Sequence, residues 1–362
     1  DFLASSVASA VFKGEQMLAA LNAAGLDIAT LGNHEFDFGV DVLVERMKQS
    51  RFDWVIANLL DRRTGRPIGD APPYVMRTVG GLRIGIIGLC LVTDSMASPV
   101  VRQRVETIDP LLAAARYVPE MKAAGAEVIV ALTHLGFATD RELAARFPDI
   151  DVIVGGHEHY PITTVTGRTL ITKAGSDARY VARVDLRKRE GGPVDRFFEL
   201  IPVTSAIAND ESAASVIDAW EARLGAEFDQ PVGSTRVPLD ALEATLRVSE
   251  SKVGNFFADA VRRAVGADVG LVNAGGIRGN RTYPPGPLTR RALVALHPFN
   301  NAICKIELTG AELLGVLEHG VSRLPARSGQ FPQVSGITLR VRLSAPIGRR
   351  VHDVRVGGAP LE

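Results

Sequence analysis

Four of the seven histidines in this chain, His34, His134, His157 and His159, follow short apolar runs and stand beside glycine or threonine. In Gly155-Gly156-His157-Glu158-His159 two glycines make a tight turn after DVIV, and imidazoles at i and i+2 can then point to one centre. Neutral imidazole suits Zn, Mn, Fe, Ni or Cu. His134 comes directly after EVIVAL and Thr133, and Asn33-His34 comes after DIATLG. Asn33 offers a carbonyl oxygen and Asp1 a carboxylate. Each motif has a plainer reading by itself: a polar surface turn for the GGHEH stretch, a strand-end cap for His134. Together they place imidazole, carboxamide and carboxylate at equivalent positions, and that combination points to a metal centre.

The second half carries a different set. Arg247 lies in LRVSESKVGN, and VGLVNAGGIRG holds Asn273, Gly275 and Arg278. Phe299 and Asn301 lie in HPFNN. A glycine-rich turn lets backbone approach a ligand closely, and arginine adds a bidentate anion donor. Phe299, in a loop beside Pro298, offers a face for base stacking. The bland readings are a left-handed turn with a surface arginine, a buried aromatic anchor, and a simple N-cap at Asn255.

The elements that must position these groups follow from hydrophobic periodicity. Helices are predicted at Phe12–Ala24, Val40–Gln49, Pro110–Ala124 and Arg141–Arg146. Strands are predicted at Asp27–Leu31, Trp54–Ala57, Leu82–Leu89, Glu127–Leu132 and Asp151–Val154. These strands are apolar on both faces, as in a sheet sandwiched between helices. The four metal motifs sit at their C-terminal ends, where α/β sheets place ligands. Three β segments follow, then a helix over Glu211–Phe228 that reads as a connector. Beyond it the pattern restarts, with helices at Asn255–Val265 and Ala311–Val321 and strands including Val269–Val272 and Ile303–Leu308. The fold class is therefore α/β. The domains are expected at residues 1–205 and 231–362, with a helical linker at 206–230.

Composition narrows the function classes. Basic and acidic residues balance at 41 each, which argues against a nucleic-acid polymer as partner. Cys90 and Cys304 are the two cysteines, too far apart for a thiolate metal motif. No apolar run approaches the roughly 20 residues of a membrane span.

The turn GNHEFDFG (residues 32–39), with Thr133-His134 and Gly156-His157-Glu158-His159, resembles the calcineurin-like metallophosphoesterases, specifically the bacterial 5′-nucleotidase branch. The second half is similar to that family's C-terminal domain. The resemblance implies a four-layer α/β/β/α metallophosphoesterase domain followed by a smaller α/β nucleotide-binding domain, and a rotation that carries substrate between them. It implies two divalent ions (Mn, Zn, Co or Mg) about 3.5–4 Å apart that clamp phosphoryl oxygens and acidify a water. Asp1 would bridge them; Asn33, His134 and His157 would bind the second and His159 the first. His34, oriented by Asp37, would face the phosphoryl group. Arg247 and Arg278 would hold anionic groups of the substrate, Asn273 the nucleoside and Phe299 the base. The implied activity is hydrolysis of nucleoside 5′-monophosphates in the periplasm or outside the cell. Alternatives are a 2′,3′-cyclic-nucleotide phosphodiesterase with 3′-nucleotidase activity, a nucleotide-sugar hydrolase, a thiosulfonate hydrolase, or a nucleotide-binding protein with impaired catalysis. The family's Asp-x-His motif would precede Asp1, and a second stacking aromatic with a ribose-binding Asp would follow residue 362. The chain is thus expected to be a piece of a longer one.

Overall fold

The computed structural model describes residues 1–4, 6–91, 99–189, 192, 194–225, 228–299 and 301–361. The chain divides into two compact units. The first comprises Asp1–Ala4 with Val11–Arg223, the second Ser5–Ala10 with Leu224–Glu362.

The first unit is organised by a six-stranded sheet. Its strands in chain order are β1 (Tyr74–Val79), β2 (Leu82–Cys90), β3 (Val128–His134), β4 (Val152–Gly155), β5 (Pro161–Thr166) and β6 (Thr169–Ala174), arranged β5-β6-β4-β3-β2-β1. The inner four run parallel, and each edge strand is antiparallel to its neighbour. Parallel strands covered on both faces must be apolar throughout. Accordingly Ile87, Leu89, Ile129, Ala131 and Ile153 are buried, packed with Ala114, Val118 and Met121 of helix Pro110–Ala123 and Leu143 and Ala144 of helix Phe137–Arg146. Asp109 starts the first of these helices by accepting from Leu111 N at 2.7 Å, with Pro110 in its first turn.

The parallel register aligns the strand ends. Cys90 pairs with His134, and Leu89, Thr133, Gly155 and Lys173 form one cross-strand row. Buried Asn58 closes the end of β2, donating to Cys90 O at 2.9 Å and accepting from Cys90 N at 2.9 Å. Smaller ladders complete the unit: Ile28–Ala29 with Asp53–Trp54 in parallel, Leu59–Asp61 with both Arg66–Pro67 and Val105–Thr107, and Tyr180–Lys188 with Val194–Pro202.

The helix predicted at Phe12–Ala24 is Glu15–Ala23, and a separate helix, Val7–Phe12, ends at its first predicted residue. Lys13 and Gly14 between them hold φ of 51° and 82°, a left-handed pair that no α-helix can contain.

The second unit builds on helix Lys252–Val265 and an antiparallel pair, Gly270–Asn273 with Pro332–Ser335. The helix is capped by the Ser251 side chain, which accepts from Gly254 N at 2.9 Å, so Asn255 is not its cap. Asn255 lies inside the helix and donates to Glu250 at 2.7 Å. Its C-terminus is Gly266 in the left-handed region. The predicted strand Ile303–Leu308 does not form: residues 301–308 are irregular and exposed. A strand exists only through its ladder, and among the described residues no segment pairs with this one. The helix predicted over Glu211–Phe228 is Glu211–Leu224, part of the first unit up to Arg223; the two residues before Phe228 lie outside the described set.

Candidate active site

The ends of β3 and β4, together with the 3₁₀ turn Asn33–Phe36, bring side chains to one point in the first unit. His134 Nε2 lies 2.9 Å from Asp1 Oδ2, 3.1 Å from Asn33 Oδ1 and 3.3 Å from His157 Nδ1. Donor atoms of Asp1, His134 and His157 all fall within 4.8 Å of one another. Four of the expected ligands therefore converge. His159 is not in this group; its carbonyl accepts from Ser176 Oγ at 3.5 Å.

The local chain explains the convergence. Asp1 is seated by two contacts with the 32–35 turn. Its Oδ1 accepts from His34 N at 2.8 Å, and a Cβ at Gly32 would lie 2.2 Å from that same oxygen. Only glycine leaves room there. Below it, Glu35 Oε1 accepts from Phe2 N at 2.7 Å and Leu3 N at 3.2 Å, and Oε2 accepts from Gly32 N at 2.5 Å. Burial pushes this carboxyl upward, and the Phe2 and Leu3 amides it accepts from draw it back down. Sequence reasoning assigned Glu35 no role. The available signal was its spacing, three residues after Gly32, which is that of a capping box.

His157 has φ of 76°, a left-handed conformation that histidine adopts more readily than a β-branched residue does. Burial pushes the His134 imidazole well below its ordinary value, opposed by Glu35. Burial also brings His157 down to about 4, with His134 beside it adding to the effect. Both rings are thus neutral donors at neutral pH, the form that binds a cation. A carboxylate, a carboxamide and two neutral imidazoles at hydrogen-bonding separation make a donor set that fits a divalent metal. His34 stands beside this set: its Nδ1 meets Asp37 Oδ2 at 2.9 Å, so the carboxylate fixes the ring. A cavity of about 300 Å³ borders the cluster, but Leu21, Leu26, Ile28, Leu132 and Val154 give it aliphatic walls unsuited to phosphate.

In the second unit, the loop at Ser328–Gly329 ties together three of the predicted substrate residues, Arg247, Asn273 and Gly275. Ser328 N donates to Arg247 O at 3.3 Å, while Gly275 N at 2.8 Å and Asn273 Nδ2 at 3.3 Å both donate to Gly329 O. Arg247 is ion-paired to Glu243 at 2.8 Å. Arg278 Cζ lies 5.1 Å from the Phe299 ring centroid, and His297 lies edge-on to Phe299 at 6.3 Å. Asn301 is exposed, and Asn300 lies outside the described residues. Gln333, to which sequence reasoning assigned no role, is buried and donates to Leu246 O at 2.9 Å and Ser249 O at 2.8 Å. It thereby fixes the segment that carries Arg247.

Comparison with known proteins agrees with both halves. The calcineurin-like phosphoesterase family model matches residues 11–161, and the model of the 5′-nucleotidase C-terminal domain matches residues 231–362. A solved structure of a 5′-nucleotidase precursor from Thermus thermophilus superposes with a TM-score of 0.88 at 31% identity, covering 99% of this chain and 76% of that one. The chain is also 28% identical to the trifunctional nucleotide phosphoesterase of Bacillus subtilis, over 93% of this chain and 26% of that protein. It is 28% identical to the bovine 5′-nucleotidase, over 96% of this chain and 66% of that protein. The chain therefore spans less than two thirds of the length of these curated relatives. The mixed α/β architecture is a metallophosphoesterase domain followed by a C-terminal α/β domain.

Proposed function

This chain belongs to the 5′-nucleotidase family, and on that premise we propose that it hydrolyses nucleoside 5′-monophosphates to nucleoside and phosphate. The observation that carries the reading is the meeting of Asp1 and Asn33 with His134 and His157 at the ends of β3 and β4, with the His34–Asp37 pair beside them. Asp1, Asn33, His134 and His157 would hold one divalent ion, and Asp1 with His159 would contribute to a second. When bound, such ions clamp phosphoryl oxygens and lower the pKa of a water. His34 would face the phosphoryl group, where a donor held in place by Asp37 stabilises spreading negative charge without reorganising. Arg247, Arg278, Asn273, Gly275, Phe299 and Asn301 would hold the nucleotide. A mixed oxygen and nitrogen donor set accepts Mn, Zn, Co or Mg. Among the described residues no helix is long and apolar enough to cross a membrane. The likeness to bacterial 5′-nucleotidases supports a periplasmic or extracellular location.

The test is phosphate release from a panel of nucleoside 5′-monophosphates, cyclic nucleotides and nucleotide sugars, with Mn, Zn, Co and Mg supplied separately to the full-length protein. Release from 5′-monophosphates that stops on chelation is expected. Turnover indifferent to chelation, or absent with every metal, overturns the reading.

Arg278→Ala addresses the substrate half. Losing a charged donor to an anion costs about 1.5–3 kcal/mol, or roughly 10- to 100-fold. KM for a nucleotide should rise by that order while KM for a small aryl phosphate stays near the parent's. Equal changes for both would remove Arg278 from the nucleotide site.

A further inference from the structure

Lys173 is the largest of the fully buried side chains, at 1% exposure. An ammonium out of water demands several close partners. Lys173 Nζ donates to Leu135 O at 2.6 Å and to Gly156 O at 2.8 Å. It is ion-paired with Asp140 Oδ2 at 2.7 Å, with both side chains fully buried, and closely with Glu158 Oε2. Glu158 uses its other oxygen to accept from Phe137 N at 2.6 Å, at the start of helix Phe137–Arg146.

The identity of these partners distinguishes the arrangement from a simple buried ion pair. Asp140 alone would neutralise the charge. The two carbonyls belong to the residue after His134 and the residue before His157, and Glu158 lies between His157 and His159. One ammonium thus touches both of the turns that carry imidazoles at the ends of β3 and β4. The route is built for it: Lys173 pairs in register with Gly155, and a Cβ at 155 would lie 3.0 Å from Lys173 Cε. Glycine there lets the side chain pass beneath β4 to reach the far turns.

We infer that Lys173 is a positioning residue for the metal centre, fixing the His134 and His157 turns with Glu158 as its lever on the second. This inference rests on the metal-site reading above. Groups that orient metal ligands without touching the metal typically change affinity or activity 10- to 100-fold when removed.

The test is histidine-selective ¹³C–¹H NMR on the full chain, with and without Zn(II), at a temperature where circular dichroism shows the variant folded. Lys173→Met should move the metal-free resonances of His134 and His157, leave those of His319 and His352 in place, and weaken Zn(II) binding about 10- to 100-fold. A lysine that only stabilised the fold would lower the melting temperature without moving either readout in the folded protein. Parent-like resonances and Zn(II) affinity in folded Lys173→Met overturn the inference. Should that variant fail to fold, Glu158→Gln decides. Shifted His157 and His159 signals with weaker Zn(II) binding support the lever, and unchanged signals and affinity overturn it. A parent protein whose His134 and His157 signals ignore Zn(II) refutes the metal-site reading instead. The metal-free resonances of Lys173→Met then judge the lysine independently.

Discussion

Replacing His34 by asparagine should lower kcat about 100- to 1000-fold, the cost of removing one preorganised donor from a developing charge, and leave metal content unchanged. The two halves of that expectation have separate causes. The ring is held by Asp37 through Nδ1 at 2.9 Å, so its other nitrogen is the atom that would meet a phosphoryl oxygen. A ring held by a carboxylate presents its second nitrogen in one fixed direction, and asparagine cannot use Asp37 in the same way. The link between residue 34 and the metal set is made by the backbone: His34 N donates to Asp1 Oδ1 at 2.8 Å. Asparagine keeps that amide, so Asp1 stays seated. Turnover with a nucleoside 5′-monophosphate, measured alongside metal content by elemental analysis, checks both halves. Equal loss of metal and activity would make His34 a ligand and refute its assigned role.

What the sequence disclosed, and what it did not, divides along a physical line. Parallel strands buried on both faces announce themselves as apolar runs, and a ligand at their ends follows within one or two residues. His134 and His157 were legible as candidates for that reason, while Asn33 lies further out, in the 3₁₀ turn after Ile28–Ala29. Glu35 was harder to read, because its partners Phe2 and Leu3 lie 33 and 32 residues away. Lys173 was invisible: in TLITKA it reads as an ordinary outward-facing strand residue, and only the register with Gly155 shows that it turns inward. Asn58 was hidden likewise, since its bonds to Cys90 span 32 residues. Periodicity also overreached. Ile303–Leu308 has strand composition, but composition cannot supply the neighbour a ladder needs. At Lys13-Gly14 the apolar pattern ran through a backbone break that only the dihedral angles reveal. In the second unit the pattern located Asn273, Gly275 and Arg278. It gave no hint that the loop at Ser328–Gly329, more than 50 residues on, ties Asn273 and Gly275 to Arg247.

His134→Ala should separate the metal centre from everything else. Its Nε2 is the atom on which Asp1 at 2.9 Å, Asn33 at 3.1 Å and His157 at 3.3 Å converge. Removing a residue that merely orients a ligand costs about 10- to 100-fold in metal affinity, and removing a donor itself should exceed about 100-fold. The fold should survive the change. His134 closes β3, whose ladder is made by main-chain bonds that alanine retains, and the buried ring must forgo its charged form in the metal-free protein. Zn(II) titration with circular dichroism as a control reads the outcome. The contrast with His34→Asn is what gives the pair its force. One variant should keep metal and lose turnover, the other should lose both, and the two side chains belong to turns 101 residues apart at the Asn33–His134 contact. If His134→Ala binds Zn(II) like the parent, the point where these side chains meet does not hold the metal. A buried, neutral, strand-end histidine would then be a packing residue, and phosphate transfer would have to be sought elsewhere in the first unit.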